Sequence, residues 1–267
     1  MIDFHVSKSA LGAAARCGQL AWWRLHDRRP PIVNEAMAFG SAVDQGIQVA
    51  LTAVRAGIPY SAVRDAAAEA AVQSVLSNAI EVDLAEAQDA IDSFVADVVP
   101  LYDFRLCAIQ EHVHCPIEGL GECVGYLDIR LADDSIWDTK TSTKGKPEGA
   151  AYSVELGFYT ILYESASGRK VPRVGYWTRV RSKEPKWQTV SLEVTDEFRR
   201  WAYENAAAFV RGVQADELLN RDRLARKLEP VNYTFTSGPK WDSACRSCEY
   251  APANGGRCRM ARSEELR

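Results

Sequence analysis

The chain lacks any long apolar run and any excess of positive charge. No stretch of its 267 residues stays apolar over the roughly 20 positions that a membrane-spanning helix needs. The first residues do not combine a basic segment with an apolar one, as a signal peptide does. We therefore expect a cytoplasmic protein. The formal net charge of −4 gives no general basic field, so any contact with nucleic acid must come from local basic patches.

Histidine is scarce: the chain has four, and the last is His114. In a cytoplasmic chain, cysteines favour metal binding or burial over a disulfide framework. Cys245 and Cys248 form a C-x2-C pair followed by Cys258, which brings three thiolates around one metal centre at a low cost in loop-closure entropy. Zinc sites and iron–sulfur clusters usually take four ligands, and Cys17 is the best candidate for the fourth. Alternatively, the three are free thiols and Cys17 is a core residue.

A rival zinc set consists of His112, His114, Cys115 and Cys123. Side chains alternate along a strand, so the two histidines share one face while Cys115 points to the other. We interpret these as ordinary strand residues, and Cys107, Cys115 and Cys123 as small buried hydrophobic residues.

The order of elements predicts an α/β fold in which a mixed sheet is flanked by helices. Pro100 is expected to kink or divide the fourth helix. From capping residues, apolar spacing and turn signals, the predicted helices cover about residues 7–25, 36–56, 61–77, 83–106, 149–165, 196–211 and 215–227, and the predicted strands cover 111–116, 124–131, 136–140, 171–180 and 186–192.

Two of these strands place three charged side chains together. Residues 124–131 are apolar and β-prone, and a turn joins them to the next strand. The hairpin brings Asp128 near Asp138, and Lys140 shares the face of Asp138 because strand side chains alternate. Two carboxylates suit Mg²⁺ or Mn²⁺, and a lysine can position a water or stabilise charge at a phosphodiester. A D-x-K triplet alone is common, and its alternative interpretation is a solvated surface pair.

Taken in order, the motifs resemble those of the PD-(D/E)XK nucleases of the RecB-like and Cas4-like exonuclease group, including members with an iron–sulfur cluster. The resemblance extends over most of the chain. Each motif is weak alone, but their joint order is specific. The matching segments are the serine-led segment 7–17, the G-x-x-x-H-like segment 39–44, the two strand motifs 125–128 and 138–140, the Q-x-x-x-Y-like segment 155–159, and the triad Cys245, Cys248 and Cys258.

The resemblance implies a single domain with a restriction-endonuclease-like core. Residues 1–110 would form a mainly helical N-terminal lobe and 111–229 the nuclease core. Residues 230–267 would form a cysteine-rich tail that closes onto Cys17. The four cysteines, Cys17, Cys245, Cys248 and Cys258, would hold a structural [4Fe–4S] cluster, with zinc as the alternative on the same thiolates.

The resemblance also implies hydrolysis of DNA phosphodiester bonds, with single-stranded ends as the expected substrate. In this hypothesis Asp44, Asp128 and Asp138, together with the backbone carbonyl of Thr139, hold one or two Mg²⁺ or Mn²⁺ ions. Lys140 orients the attacking water or neutralises charge on the phosphate.

Two residues of the helix that follows are expected to support Lys140. Glu155 and Tyr159 are four positions apart and therefore lie on one side of that helix. We expect them to hold Lys140 or to contact the DNA strand. The alternative is that they are simply helix surface and core.

Three features depart from the family pattern. Asp44 stands where the family has histidine, and its oxygens can still bind Mg²⁺ or Mn²⁺ with altered metal preference; a solvated helix residue is the alternative. Glu155 replaces glutamine, and a carboxylate that faces DNA would repel phosphate. The gap between Cys248 and Cys258 is longer than usual, which adds a small loop.

Contact with DNA requires local positive charge, and Lys144 and Lys146 are the best candidates because they follow the catalytic strand. Other functions remain open. The protein could be an endonuclease, an end-trimming subunit in CRISPR spacer acquisition, a partner of a helicase, a non-catalytic metal-stapled nucleic-acid-binding module, or a zinc-bearing structural protein in which the D-x-K hairpin is a coincidence.

Overall fold

A six-stranded mixed sheet lies between two groups of helices. The structure is a computed structural model and describes residues 5–16, 20 and 32–226. The four cysteines predicted to bind a cluster, Cys17, Cys245, Cys248 and Cys258, lie outside the described residues, as does the predicted tail.

In the described residues the helices are α1 (Lys8–Arg16), α2 (Glu35–Arg55), α3 (Arg64–Asn78), α4 (Leu84–Asp97), α5 (Val154–Ser167) and α6 (Asp196–Ala225), with 3₁₀ turns at Tyr60–Ala62 and Val99–Leu101. The strands are β1 (Val6–Ser7), β2 (Ala108–Ile117), β3 (Gly121–Arg130), β4 (Ile136–Ser142), β5 (Arg173–Val180) and β6 (Lys186–Glu193). No described helix is both long enough and apolar enough to cross a membrane.

The strand β3 has three neighbours. β2 runs antiparallel along its whole length and therefore occupies one edge. On the other edge, β1 lies parallel to the beginning of β3, with Ser7 beside Val124, and β4 lies antiparallel to its end, with Trp137 opposite Ile129. β1 and β4 therefore run towards each other along one edge. β5 and β6 extend the sheet beyond β4, parallel and antiparallel respectively.

Each face of the sheet buries its own apolar core. Helices α1, α5 and α6 cover one face, and α2, α3 and α4 cover the other. In the second core the rings of Trp137 and Trp177 stack with centroids 4.5 Å apart. A Cβ atom at Gly175 would lie 2.4 Å from the Trp137 ring, so a glycine is required for that ring to pack against β5.

Three predicted helices differ from those observed. The fourth ends at Asp97 and a separate turn contains Pro100, because proline cannot donate the backbone hydrogen bond of a helix interior. The two predicted C-terminal helices form one continuous helix, α6. Gly212 lies between them, but a glycine inside a helix costs only about 1 kcal/mol, and the buried neighbours Val210 and Val213 keep the helix packed. β1 is not among the predicted elements.

Candidate active site

The divided edge of β3 creates the candidate site. Trp137 pairs with Ile129, so the next residue of β4, Asp138, comes opposite Asp128. From the other direction β1 ends at Ser7, and the first residue of α1, Lys8, enters the same gap. The predicted hairpin is therefore present, and it meets a third segment from the N-terminal end of the chain.

Asp138 is the centre of the charge cluster. Its side chain is 1% exposed, and the Lys8 ammonium lies 2.5 Å from its Oδ1 atom. Lys140 forms an ion pair with the buried Oδ2 atom. Burial alone would raise the pKa of Asp138, but the charges of Lys140 and Lys8 outweigh it and lower that pKa.

Asp128 has the opposite electrostatic behaviour. Burial raises its pKa, and the neighbouring carboxylate of Asp138 raises it further, while the charge of Lys8 opposes both. Two carboxylates held this close cannot both ionise freely unless positive charge is added. The pair is therefore a place where a bound cation would be stabilising.

Asp44 reaches the site from α2 on the other face of the sheet. Its Oδ1 atom accepts a hydrogen bond of 2.9 Å from the Thr139 hydroxyl, and its Oδ2 atom accepts one of 2.7 Å from the Gln48 amide. Burial raises the pKa of Asp44, against the lowering effect of these two hydrogen bonds. The side chain is thus held towards β4 rather than turned into solvent.

Lys140 lies between a carboxylate and an aromatic ring. Its ammonium is 3.9 Å from the Glu155 Oε2 atom and 5.9 Å from the centroid of the Tyr176 ring. Glu155 is in the first turn of α5, which begins where the Ser153 hydroxyl accepts a hydrogen bond from the Leu156 amide. The predicted proximity of Glu155 to Lys140 is therefore present.

Tyr159 is placed differently from the expectation that it holds Lys140 or contacts the DNA strand. It is buried at 3% exposure, and the cation over its ring is Lys8, whose ammonium is 5.0 Å from the centroid. A Cβ atom at Gly125 would lie 3.1 Å from the Tyr159 ring and 2.9 Å from Leu162. The glycine of the G-x-L-D motif thus lets α5 approach β3 closely enough to place Tyr159 under Lys8.

Lys8 is the residue that the sequence motifs did not identify. It lies in the segment 7–17, whose resemblance to the family depends on the serine and the cysteine. The signal for Lys8 in the sequence is its positive charge immediately after Ser7. The carboxylates of Asp138 and Asp128 raise the pKa of Lys8 despite the opposing effect of its burial.

The two lysines after β4 differ in how firmly they are held. Lys146 is half-buried, and its ammonium lies 4.4 Å from the centroid of the Tyr176 ring. Its backbone exchanges two hydrogen bonds with the Gln188 side chain, at 2.7 and 2.8 Å. Lys144 is exposed, and its backbone amide donates to the Ser142 hydroxyl at 3.3 Å. Lys146 is therefore fixed beside the site and Lys144 faces solvent.

A cleft with a volume of about 350 Å³ opens onto the site. Its polar wall includes Asp44, Asp128, Thr139 and Lys140, whereas neither Lys8 nor Asp138 lines it. The lining also includes the apolar residues Met37, Val43 and Trp187. Solvent or a substrate would thus reach Asp128 and Lys140 from the α2 side, while Lys8 approaches Asp138 from the α5 side.

The donor chemistry fits a hard divalent cation. Among the described residues, no group of three His, Cys, Asp or Glu side chains is arranged to hold an ion. Mg²⁺, however, is commonly bound by one or two carboxylates, water and substrate phosphates rather than by an all-protein cage. Asp128 and Asp138 supply two such carboxylates, and a bound cation would relieve the repulsion between them that raises the pKa of Asp128.

The rival zinc residues lie on β2 and β3, away from the charge cluster. Cys123 is buried in the core and pairs across the ladder with Cys115. His114 lies 2.8 Å from a carboxylate oxygen of Glu122. Cys107 is buried in the second core. These residues occupy ordinary strand and core positions.

The fold and the site together define a class of nucleases in which a mixed sheet presents acidic residues and a lysine from adjacent strands. The chain belongs to the PD-(D/E)XK nuclease superfamily, whose family model matches residues 5–253. No curated protein matches the sequence.

A solved structure shows the same fold. A "Putative exonuclease" from Eubacterium rectale has a TM-score of 0.55 at 15% sequence identity, with 85% of this chain and 84% of that chain covered. At this identity the likeness concerns the fold alone. The structure of SSO0001 has a TM-score of 0.36 at 14% identity, with 92% of this chain and 96% of that chain covered.

Proposed function

We propose that this chain is a metal-dependent deoxyribonuclease that hydrolyses phosphodiester bonds from single-stranded DNA ends. The observation that supports the proposal is the buried carboxylate of Asp138, held beside Asp128 and against the Lys140 ammonium, at a cleft that also contains Asp44. Burying an ionised carboxylate costs free energy unless a positive charge compensates it. Here the compensating charge includes a lysine, which can stabilise negative charge on a phosphodiester.

In this proposal Asp128 and Asp138 hold Mg²⁺ or Mn²⁺, with Asp44 and the Thr139 backbone carbonyl as further oxygen donors. The bound ion would polarise the scissile phosphate and lower the pKa of its water.

The protein side chains supply the rest of the chemistry. Lys140 reaches the cleft with its charge directed by Asp138 and Glu155, where it can orient the attacking water or neutralise charge on the phosphate. Tyr159 acts through Lys8 rather than through Lys140. Lys146, and Lys144 further out, would bind the phosphates that flank the scissile one.

The apolar wall of the cleft favours single strands. Met37 and Trp187 are part of its lining, and unpaired bases can stack or pack on such surfaces, whereas a duplex keeps its bases stacked on one another. The exonuclease description of the Eubacterium rectale protein agrees with attack at ends.

The testing experiment is a cleavage assay with Mn²⁺ and with Mg²⁺ on linear single-stranded, linear double-stranded and circular single-stranded DNA. We expect cleavage of the linear single strand, little cleavage of the circle, and none in Lys140→Ala or Asp138→Ala protein. Lys170→Met, which removes a lysine with a 73% exposed side chain, is the matched control and should cleave normally. Cutting of the circle would instead indicate an endonuclease. Full activity in either active-site variant would contradict the assignment.

We further propose that Cys17, Cys245, Cys248 and Cys258 bind a [4Fe–4S] cluster, as the resemblance implies. Thiolates bind both iron–sulfur clusters and zinc, so the metal must be measured. A brown protein with visible thiolate-to-iron absorption and four irons per chain is expected. A colourless, anaerobically purified protein with one zinc per chain would exclude the cluster.

A further inference from the structure

Asp138 is held by two ammonium groups, whereas the D-x-K motif supplies one. Lys8 approaches the Oδ1 atom at 2.5 Å and Lys140 pairs with the Oδ2 atom. The Lys8 side chain is 23% exposed and lies over the Tyr159 ring. A lysine that is partly desolvated, stacked on an aromatic ring and paired with a buried carboxylate has little freedom to leave.

The two cations contact different oxygens of Asp138. Lys140 pairs with the Oδ2 atom and also lines the cleft together with Asp44 and Asp128. Lys8 pairs with the Oδ1 atom, does not line the cleft, and lies over the Tyr159 ring. The Oδ1 atom of Asp138 therefore already has a positive charge beside it.

This placement comes from the fold rather than from a flexible surface chain. β1 pairs with the beginning of β3 on the same edge that β4 uses, and α1 starts at the next residue. The Tyr159 ring can lie beneath Lys8 because Gly125 has no side chain that would clash with it. Three separate packing features thus hold the ammonium against the carboxylate.

A second divalent cation on Asp138 would have to lie close to this ammonium, and like charges in a poorly solvated site repel strongly. We propose that Lys8 supplies a resident positive charge in place of a second divalent cation, so that the site takes one divalent ion. The inference rests on the proposed function, because it concerns how many ions that site accepts. Lys8 is accordingly a positioning residue that acts through Asp138.

The test counts Mn²⁺ ions on the DNA-free protein by isothermal titration calorimetry and by electron paramagnetic resonance, which detects a spin-coupled pair. We expect one ion, without coupling, on the wild-type protein and on Lys8→Arg, which retains the charge. We expect two coupled ions on Lys8→Met, which keeps the length of the side chain without its charge. Lys170→Met should bind one ion.

Each result decides the matter. Two ions on the wild-type protein, two on Lys8→Arg, or a single ion on folded Lys8→Met at any affinity would overturn the role of Lys8 and leave the proposed function intact. No ion on the wild-type protein would also overturn the role of Lys8, whereas the proposed function is decided separately by the cleavage assay, because substrate phosphates can complete the metal site. If circular dichroism shows that Lys8→Met does not fold, the count is made on Lys8→Gln, which also removes the charge; two coupled ions are expected there, and a single ion would overturn the role of Lys8.

Discussion

The Lys8 ammonium and the Asp138 carboxylate are 2.5 Å apart although 130 positions separate them in the chain. Their contact connects the N-terminal helix α1 to the centre of the sheet. It also involves α5, because the Tyr159 ring lies under the Lys8 ammonium. The contact therefore joins three segments of the site, β4, α1 and α5. Its geometry depends on how closely α5 packs against β3.

The first prediction concerns Gly125, the residue that permits this close packing. Replacing Gly125 with alanine places a Cβ atom 2.9 Å from Leu162 and 3.1 Å from the Tyr159 ring. Overpacking of this kind costs about 1–3 kcal/mol. We expect Gly125→Ala to lower the free energy of unfolding by that amount, as measured by urea denaturation.

The matched control is Gly12→Ala in α1. A Cβ atom there would have its nearest neighbour, a Glu155 carboxylate oxygen, at an ordinary 3.7 Å. Because alanine is favoured over glycine inside helices by about 1 kcal/mol, Gly12→Ala should be neutral or stabilising. Equal stability of the Gly125→Ala and wild-type proteins would show that α5 can move away from β3 without cost.

A second prediction concerns the carboxylate that replaces the family glutamine. The Glu155 side chain is 35% exposed and lies 3.9 Å from the Lys140 ammonium, so its negative charge faces the place where a phosphate would bind. The electrostatic interaction between two solvent-exposed charges is worth up to about 1 kcal/mol, and salt screens it. We expect Glu155→Gln to lower the KM for single-stranded DNA by about two- to fivefold at low salt, with a smaller change in kcat.

Raising the ionic strength should remove most of this difference, because screening weakens the repulsion in the wild-type protein. Glu193→Gln is the control, since that side chain is 83% exposed at the end of β6 that pairs with Arg173, away from Lys140. A rise in KM for Glu155→Gln would mean that the carboxylate mainly orients Lys140.

The chemistry of the hairpin could be predicted from the sequence, but its N-terminal partner could not. Alternating side chains and a short turn fix which residues of β3 and β4 face each other, so the sequence predicts that Asp128 lies near Asp138, and the register of the two strands agrees. β1 has two residues and therefore shows no period. Its pairing with β3 is a long-range contact, and only that pairing places Lys8 in the site.

The helix α5 illustrates the same limit. Helical spacing correctly places Glu155 and Tyr159 on one side of the helix. It does not show which cation each one meets, because that depends on the position of α1. In the folded protein Glu155 is near Lys140 and Tyr159 is under Lys8. Local pattern thus gives the face of an element, and packing decides its partners.

A third prediction concerns the choice of metal. Asp44 is oriented by the Thr139 hydroxyl and the Gln48 amide, and a carboxylate oxygen suits Mg²⁺ better than an imidazole does. Asp44→His restores the family residue, and we expect the ratio of Mg²⁺-supported to Mn²⁺-supported cleavage to fall by about tenfold. Rates measured with each metal at saturation give the ratio directly.

Asp65→His is the control for introducing a histidine on a helix, since Asp65 is exposed in the first turn of α3. Its ratio should equal that of the wild-type protein. An unchanged ratio in Asp44→His would remove Asp44 from the set of metal ligands and return it to a structural role beside Thr139.

The last prediction concerns Lys146 as a phosphate contact. The Lys146 ammonium is held over the Tyr176 ring, and the Gln188 side chain fixes the Lys146 backbone. Lys146 therefore loses little conformational entropy when DNA binds. A charge-assisted hydrogen bond is worth about 1.5–3 kcal/mol. In a Lys140→Ala background, which prevents cleavage, we expect Lys146→Met to weaken the binding of single-stranded DNA at least about tenfold. The slope of log K against log salt should become shallower by about 0.7.

Lys146 also gives this binding a pH dependence. Burial lowers its pKa, and the charge of Lys140 lowers it further, although the second contribution is absent in the Lys140→Ala background. The charged form is the one that binds phosphate, so affinity is fully present at low pH and is lost as pH rises through this lowered pKa, below the 10.5 of an ordinary lysine. Fluorescence anisotropy between pH 7 and the onset of denaturation should show the loss with Lys146 present, and no such loss in Lys146→Met. Parallel pH curves for the two proteins would show that Lys146 does not contact the DNA.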